Sequence, residues 1–348
     1  MAGGKGTRLW PSSRQHFPKQ FNDVFGVGKS LLQQTIERFK NVCPQENIFI
    51  VTNKDYEKIV KEQIPFLKPD QILLEPIQRN TAPCVAFACY KIESRDPNAK
   101  IVVTPADHAI FEEAKFEKAI LKSIEEIKDT DKLVTLGINP LRPETGYGYI
   151  QFIKGEGFLK KVKTFTEKPA KELAAKFIES GDFVWNAGIF IWNAKAIKKA
   201  IKTHLPDVSE AFDDISDDWF GPGENEKINV AYSQCKSISI DYGIMEKANN
   251  VFVAMGDFGW SDIGSWNSLY EISDKDNDRN VLDGNVLVYD TTGTIVKTPK
   301  DKLVVLEGLK DYLVVEYDNA LVICHRDQES RFRQFTKDVK NMKGEDYL

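Results

Sequence analysis

The chain has 348 residues, of which 42% are hydrophobic and 28% are charged, and its net charge is −5. This length predicts two domains, because single cores rarely grow beyond about 250–300 residues. The acidic balance argues against nucleic-acid binding, and no apolar run reaches the ~18 residues of a membrane span. The five cysteines form no C-x-x-C motif, which favours reduced thiols and a cytoplasmic location.

Short apolar runs alternate with helical patterns over the first 140 residues. The strands are predicted at 48–52, 72–74, 101–104 and 133–138. The helices are predicted after a capping box at 30–33, from 55, from 81 to 92, and at 116–127. Strands alternating with helices predict an α/β fold with a doubly wound, mostly parallel sheet.

The pattern loosens after residue 140 and changes again after 280. Strands at 149–153, 162–166, 185–192 and 251–255 and helices at 171–179 and from 263–265 are predicted. Short β-branched runs then begin at Val286, Ile295, Leu303, Leu313 and Leu321, before a closing helix at 328–339. Regular strands without helices predict a small all-β module, either a solenoid or a sandwich. We therefore expect one domain at 1–275 and a second at 280–348, joined by the charged linker 274–279.

The glycine-rich start is the first candidate site. Gly3, Gly4 and Gly6 leave backbone N–H groups open to a bulky anion, and Arg8 and Lys19 add two cations. The spacing is neither that of the P-loop nor G-x-G-x-x-G, so on these residues alone a phosphate cradle and a plain glycine turn are equally favoured. Such a cradle normally follows a buried strand. We therefore expect the first strand to lie upstream of Met1.

Later motifs each admit two interpretations. Asp107 follows a predicted strand, where it suits a Mg²⁺ ligand or a simple turn, and His108 beside it suits backbone orientation better than acid–base work. The segment 75–81 could read a base or a phosphate, or only cap a βα loop. Tryptophans next to glycine and polar groups at 185–188 and 259–266 suit a carbohydrate site or a core.

The motifs AGGKGTRLWPSSR, PKQF, EPIQRNTAP, PADHAI, TGYGYI, FTEKP, WNAGIF and GWSDIGSW follow one another in this order. The chain thereby resembles bacterial mannose-1-phosphate guanylyltransferases of the sugar-nucleotidyltransferase superfamily, densely over residues 1–270 and more weakly beyond. The resemblance implies a Rossmann-like nucleotidyltransferase domain with a mixed, mostly parallel sheet, and a β-helix-like C-terminal module ending in a helix. It implies the Mg²⁺-dependent reaction of GTP with α-D-mannose 1-phosphate to GDP-mannose and diphosphate.

The resemblance also implies a role for individual residues. Arg8, Lys19, Asp107 and Asp262 would be catalytic, and Asp107 and Asp262 would hold Mg²⁺. The GTP-binding residues would be Gly3, Gly4, Gly6, Thr7, Arg8, Lys19, Glu75, Arg79, Asn80 and Thr81. The residues that bind mannose 1-phosphate would be Gly146, Glu167, Lys168, Asn186 and Gly188.

Three other functions compete with this prediction. The chain could transfer nucleotides to another hexose 1-phosphate, since base and sugar choice depend on few loop contacts. It could be an inactive regulatory homologue, although such chains usually lose the cations and carboxylates that are present here. A nicotinamide-dependent dehydrogenase is disfavoured by the missing fingerprint. We further expect a homodimer, and no phosphomannose isomerase activity, because about 70 residues after the catalytic region are too few for a cupin domain.

Overall fold

The computed structural model describes residues 1–215 and 218–348, which form two compact units. Unit 1 comprises Met1–Gly3, Ile36–Ala106 and Ile110–Trp260, and unit 2 comprises Gly4–Thr35, Asp107–Ala109 and Ser261–Leu348. The helices are α1 (Leu31–Arg38), α2 (Glu57–Gln63), α3 (Thr81–Arg95), α4 (Glu113–Glu126), α5 (Lys171–Ser180), α6 (Ala194–His204), α7 (Pro206–Asp213), α8 (Glu224–Gln234), α9 (Trp266–Ile272) and α10 (Phe332–Lys343). The strands are β1 (Ile50–Asn53), β2 (Ile72–Glu75), β3 (Lys100–Val103), β4 (Ala109–Ile110), β5 (Leu133–Ile138), β6 (Gly148–Phe152), β7 (Leu159–Glu167), β8 (Phe183–Asn193), β9 (Val251–Met255), β10 (Trp260–Ser261), β11 (Val281–Asp283), β12 (Asn285–Tyr289), β13 (Ile295–Lys297), β14 (Leu303–Glu307), β15 (Tyr312–Tyr317) and β16 (Ala320–His325).

Unit 1 is built on a six-stranded mixed sheet in the order β3-β8-β5-β9-β7-β6, with β1 and β2 paired in parallel as a separate ladder. The predicted mixed α/β sheet is confirmed. Four of its six strands, β3, β5, β6 and β9, run in the same direction. The expectation of mostly parallel pairing is wrong for this sheet, because β8 runs in the opposite direction between β3 and β5 and also pairs with β6, and only β5 and β9 pair in parallel among its described strands.

The first two residues connect β1 with the chain just after β3. The Ala2 N–H donates to the Val51 carbonyl at 2.7 Å, and the Ala106 N–H donates to the Met1 carbonyl at 2.9 Å. The terminal amine of Met1 also donates to the Thr104 carbonyl at 2.8 Å. Met1 and Ala2 thus provide strand-like hydrogen bonds to both sides, and a longer strand upstream of them stays a prediction.

Unit 2 contains the C-terminal β module, whose strands stack as a solenoid. β11, β13 and β15 pair in parallel, and so do β12 and β14, with successive partners 14 to 18 residues apart in the chain (Val281 with Ile295, Ile295 with Leu313, Val286 with Val304). β16 then pairs antiparallel with β15, and α10 follows. Of the two predicted arrangements, the solenoid is therefore the one that forms.

The apolar faces of these elements form the core of unit 2. Ile295, Leu313 and Val315 of the β module pack in one cluster with Leu9, Trp10 and Trp266.

The capping box predicted at the start of α1 is present, because Ser30 Oγ accepts from the Gln33 N–H and Gln33 Oε1 accepts from the Ser30 N–H. Within the described residues, we find no helix with the length and apolar character needed to cross a membrane.

Candidate active site

The glycine-rich loop lies in unit 2 as a left-handed turn followed by a 3-10 turn at Thr7–Leu9. Gly6 has a φ of +56°, and a Cβ there would lie 2.7 Å from Lys19 Cβ, so both the backbone and the packing require glycine. A Cβ at Gly4 would meet nothing within 4 Å, which leaves the backbone on that side open. Thr7 and Arg8 are exposed. The loop is thus packed against Lys19 at Gly6 and accessible to a ligand at Gly4, as a phosphate cradle requires.

Lys19 is a buried cation of unit 2. It is 4% exposed, and its Nζ lies 3.2 Å from Asp107 Oδ2 and donates to the backbone carbonyl of Asp262 at 2.5 Å. The structure therefore brings together Lys19, Asp107 and Asp262, which lie up to 243 residues apart in the chain. A buried lysine is costly unless it is neutralised, and Asp107 supplies the negative charge here.

The carboxylates of Asp107 and Asp262 have different surroundings. Burial alone would raise the pKa of Asp107, but the positive charge of Lys19 and a weaker contribution from His108 outweigh it, so this pKa is lowered. His108 Nε2 lies 3.8 Å from Asp107 Oδ1. Asp262 Oδ1 accepts from the Gly264 N–H at 2.9 Å, which fixes the orientation of that carboxylate.

These carboxylates fit a magnesium ion that is shared with a substrate. Mg²⁺ prefers oxygen ligands and usually binds through one or two carboxylates, with phosphate oxygens and water completing its shell. Across residues 1–215 and 218–348 no group of three or more His, Cys, Asp or Glu side chains could hold a metal without other ligands. Asp107 and Asp262 could therefore hold Mg²⁺ together with phosphate oxygens, rather than as a closed protein cage.

Glu75 is the charged residue of a second group, which lies in unit 1. It ends β2, is 5% exposed, and its Oε1 accepts from Tyr232 Oη at 3.1 Å. A Cβ at Gly3 would lie 3.0 Å from Glu75 Oε2, so the glycine lets its own backbone approach this carboxyl within unit 1. Burial raises the pKa of Glu75 to about 7. The group can thus accept hydrogen bonds from a ligand at neutral pH but is easily protonated.

The residues after Glu75 have clear roles in the fold. Asn80 is the N-cap of α3, with Oδ1 accepting from the Thr81 N–H at 2.8 Å. Thr81 Oγ1 accepts from the Ile240 N–H at 2.9 Å, and Arg79 Nε donates to the Tyr232 carbonyl at 3.3 Å. The capped βα loop predicted from these residues is therefore present. Gln78, which the sequence analysis did not assign, donates from Nε2 to the Gly3 carbonyl at 2.8 Å.

A third group forms where β5, β6, β7 and β8 meet in unit 1. In the strand register Gly148 is opposite Glu167, and Gly137 is opposite Asn186. A Cβ at Gly148 would overlap the Glu167 carboxylate and lie 3.5 Å from Asn186 Cβ, so these three residues are adjacent. Lys168 Nζ lies 2.5 Å from Glu167 Oε1. This part of the sheet thus presents a carboxylate, an amide and a cation together.

The hydrogen bonds of Asn186 fix the orientation of its amide. Its Oδ1 accepts from Thr135 Oγ1 at 3.0 Å and from the Gly188 N–H at 3.1 Å. Its Nδ2 donates to Asp241 Oδ1 at 2.8 Å. Gly146 instead has its N–H bonded to Glu144 Oε1 at 3.1 Å. Of the five residues predicted to bind the sugar phosphate, Lys168 therefore forms an ion pair with Glu167, and the Gly188 N–H donates to the Asn186 side chain.

The model of the nucleotidyl transferase family matches residues 1–279. The chain belongs to the nucleotidyl transferase family. Mannose-1-phosphate guanylyltransferase of Salmonella montevideo is 36% identical over 352 residues, which cover 98% of this chain and 73% of that protein. The alginate biosynthesis protein AlgA of Pseudomonas aeruginosa is 36% identical over 346 residues, covering 97% of this chain and 71% of that protein.

A solved structure is similar over nearly the whole chain. It belongs to a Thermus thermophilus protein named mannose-1-phosphate geranyltransferase, with a TM-score of 0.88, 33% identity and coverage of 98% of both chains. A match of this extent confirms the predicted nucleotidyltransferase fold, including the C-terminal β module.

Asp241, like Gln78, is a residue of this nucleotidyl transferase that sequence reasoning missed. It begins a short π-helical turn at Asp241–Met245, and it contacts Asn186 from 55 residues away. Burial, and secondarily the negative charge of Glu167, raise the pKa of Asp241 to about 6. No motif marks it, and only the tertiary contact with Asn186 identifies it.

The tryptophans of the two predicted carbohydrate motifs contribute to cores. Trp185 is 4% exposed and packs edge-on against Tyr147, with ring centroids 5.1 Å apart. Trp266 is 2% exposed within the core of unit 2. The core interpretation therefore holds for Trp185 and Trp266, and the polar groups beside Trp185 remain the candidates for sugar binding.

The raised pKa of Glu75 predicts a pH-dependent stability. The folded protein binds the Glu75 proton more tightly than the unfolded chain does. The contribution of Glu75 to the free energy of unfolding therefore falls as pH rises from about 4.3, the unfolded pKa, to about 7, and is constant above that. Glu75→Gln cannot ionise, and its amide oxygen can still accept from Tyr232. The unfolding free energy of Glu75→Gln minus that of wild type should therefore be larger at pH 8 than at pH 5, by up to about 3 kcal/mol.

Urea unfolding at pH 5 and pH 8 measures this gain. Glu156→Gln, at an exposed glutamate, is the matched control and should show no such change. A wild type-to-variant difference that is the same at both pH values would contradict the prediction.

Proposed function

We propose that the protein is a mannose-1-phosphate guanylyltransferase, which converts GTP and α-D-mannose 1-phosphate to GDP-mannose and diphosphate. The observation that carries the chemistry is the buried Lys19 with Asp107 and Asp262 beside it. The name of the Salmonella montevideo relative, mannose-1-phosphate guanylyltransferase, supports the choice of substrates. A cytoplasmic location and a homodimer stay predictions.

The reaction places few chemical demands on the protein. A sugar phosphate is already largely dianionic at neutral pH, so its oxygen can attack the α-phosphate of GTP without a general base. The barrier comes from bringing two polyanions together and from the charge that develops on the transferred phosphate and on diphosphate. Catalysis is then mostly positioning and electrostatic stabilisation.

Unit 2 would supply the groups that act on the phosphates. The open backbone at Gly4, with Gly6 and Thr7, would bind the triphosphate, and Arg8 would neutralise its distal phosphates. Lys19 would stabilise charge on the α-phosphate. Asp107 and Asp262 would hold Mg²⁺, which when bound supplies positive charge to the phosphate oxygens. With Mg²⁺ bound to Asp107, the Lys19 ammonium would contact the α-phosphate of the substrate instead of Asp107.

Unit 1 would supply the groups that select the base. Guanine presents N–H donors on its Watson–Crick edge, and an ionised carboxylate is an acceptor only. Glu75 with its neighbour Gly3 suits this edge, and adenine, which presents an acceptor in place of the N1–H, would match it poorly. Arg79, Asn80 and Thr81 would complete the base and ribose side, mainly by holding the loop in place.

The group around Asn186 would bind the hexose. The Glu167 carboxylate and the second N–H of the Asn186 amide suit sugar hydroxyls, and Lys168 suits the sugar phosphate. Gly146 and Gly188 would contribute backbone groups. We further propose that Asp241 keeps Asn186 in its orientation, because it accepts from the amide nitrogen and leaves the oxygen to Thr135.

Asp241→Asn tests this positioning role. An asparagine oxygen forms a weaker bond to the Asn186 amide than a carboxylate, so we expect the KM for mannose 1-phosphate to rise about tenfold. The KM for GTP should not change. Because wild-type Asp241 is itself protonated below pH 6, the ratio of the variant KM to the wild-type KM should fall towards one at pH 5.

Initial-rate kinetics at pH 5 and pH 8 check this prediction, with Asp257→Asn at an exposed position as control. A variant whose two KM values rise together, or whose effect is independent of pH, would show that Asp241 has a general structural role instead.

A pyrophosphate-release panel tests the proposed function as a whole. Four nucleoside triphosphates are each combined with mannose, glucose and fucose 1-phosphates, with Mg²⁺ present. The highest kcat/KM is expected for GTP with mannose 1-phosphate. A higher value for another pair would reassign the substrates, and no release with any pair would favour an inactive sugar-nucleotide-binding protein.

A further inference from the structure

Unit 2 contains a cavity of about 250 Å³ that the proposed roles above do not use. One wall is formed by the loop segment after the glycine turn, including Thr7 and Ser13, and the other wall by one face of α10. The α10 side chains that line it are Arg333, Thr336, Lys337 and Lys340. None of the described side chains lining this cavity is a carboxylate.

The sequence of α10 explains why its basic residues face this cavity. Phe332, Phe335 and Val339 pack into the apolar core of unit 2, and the adjacent flank of the helix, with Arg333, Thr336, Lys337 and Lys340 at helical spacing, lines the cavity. Arg333 and Lys337 are exposed, and among the described residues no ion pair neutralises either of them. Lys340 pairs with Glu345 at 2.5 Å. The wall therefore carries an excess of positive charge.

The basic wall is held against the glycine-rich loop by buried contacts. Trp10 Nε1 donates to the Tyr347 carbonyl at 2.6 Å, and Trp266 Nε1 donates to the Trp10 carbonyl at 3.2 Å. Arg14 is also buried, but its guanidinium is used within the fold, donating to Asn319 Oδ1 and the Tyr317 carbonyl at 2.8 Å each. The loop and the chain segment beyond α10 are thus tied together, and Arg333 and Lys337 are the described cations of the cavity wall that no ion pair neutralises.

We propose that this cavity binds a polyphosphate group. Lysine and arginine provide charge-assisted donors to phosphate oxygens, and Thr7 and Thr336 add hydroxyls. Because Thr7 also belongs to the phosphate cradle, the group is either the distal phosphates of the bound nucleoside triphosphate or free diphosphate, the product of the proposed reaction. The first source rests on the proposed function, whereas binding of free diphosphate can be measured without it.

Calorimetry on the full chain tests this proposal, with sodium pyrophosphate and GTP as separate ligands. Lys337→Ala and Arg333→Ala should each weaken pyrophosphate binding roughly tenfold, and the double variant by up to about a hundredfold. Lys343→Ala is the matched control, because Lys343 is exposed on the same helix but does not line the cavity. Its affinity should change by less than about twofold.

The two ligands distinguish the sources of the polyphosphate. Parallel losses for GTP and pyrophosphate assign the cavity to the distal phosphates of the nucleotide, and a loss for pyrophosphate alone assigns it to the free product. Affinities that match the Lys343→Ala control with both ligands would overturn the proposal. Turnover of the wild-type protein is measured separately, so a failure of the proposed function would not be mistaken for a failure of this site.

Discussion

Lys19→Met is expected to lower kcat by about 10²- to 10³-fold, the usual cost of removing one preorganised donor from a developing negative charge. Lys19 is 4% exposed, and methionine retains much of the side-chain volume, so the loss should come from charge and not from packing. The KM for GTP should rise less than kcat falls, because the contact with the α-phosphate strengthens as charge develops in the transition state.

Initial-rate measurements with GTP and mannose 1-phosphate check this expectation. Lys5→Met makes the same change at an exposed lysine of the glycine-rich loop and should retain the wild-type kcat. Lys19→Arg keeps the charge but not the compact ammonium geometry, and we expect it to recover little of the rate. Wild-type kcat in Lys19→Met would exclude the proposed role of this lysine.

Asp107→Asn is expected to lower kcat about 10²- to 10³-fold and to shift the Mg²⁺ dependence of the remaining activity to higher concentrations. The lowered pKa of Asp107 keeps it ionised at neutral pH, so asparagine removes a full negative charge. The same change leaves Lys19 without its carboxylate partner, and a moderate loss of stability should accompany the loss of rate.

A Mg²⁺ titration of pyrophosphate release, combined with thermal unfolding of each variant, separates these effects. Asp301→Asn, at an exposed aspartate of unit 2, controls for the loss of one charge. If Asp107 is only a partner of Lys19, the variant will lose stability and rate but keep the wild-type Mg²⁺ dependence, and the metal-binding role is then wrong.

The secondary structure was predictable where local patterns are strong. The strands at 133–138 and 251–255 have the predicted bounds, and the capping box at Ser30 and Gln33 forms as expected. The β-branched runs after residue 280 each form a strand. The brief β11 was missed because its three residues, Val281–Asp283, directly adjoin the linker and make no run of their own.

The tertiary relationships were less predictable, because they depend on contacts between distant residues. Nothing in the sequence spacing links Lys19 to Asp107 or Asp241 to Asn186, although both contacts shape the candidate site. The direction of β8 was also hidden, since an apolar run fixes a strand but not the direction in which it pairs. The resemblance identified most of the candidate residues, and the structure adds Gln78 and Asp241.

Product analysis tests the central claim most directly. The wild-type protein is incubated with GTP, mannose 1-phosphate and Mg²⁺, and the products are quantified by mass spectrometry and a pyrophosphate assay. We predict GDP-mannose and pyrophosphate in equal amounts, with neither formed when mannose 1-phosphate is left out. Orthophosphate release without GDP-mannose, or binding of both substrates with no product, would contradict the proposed nucleotidyl transfer.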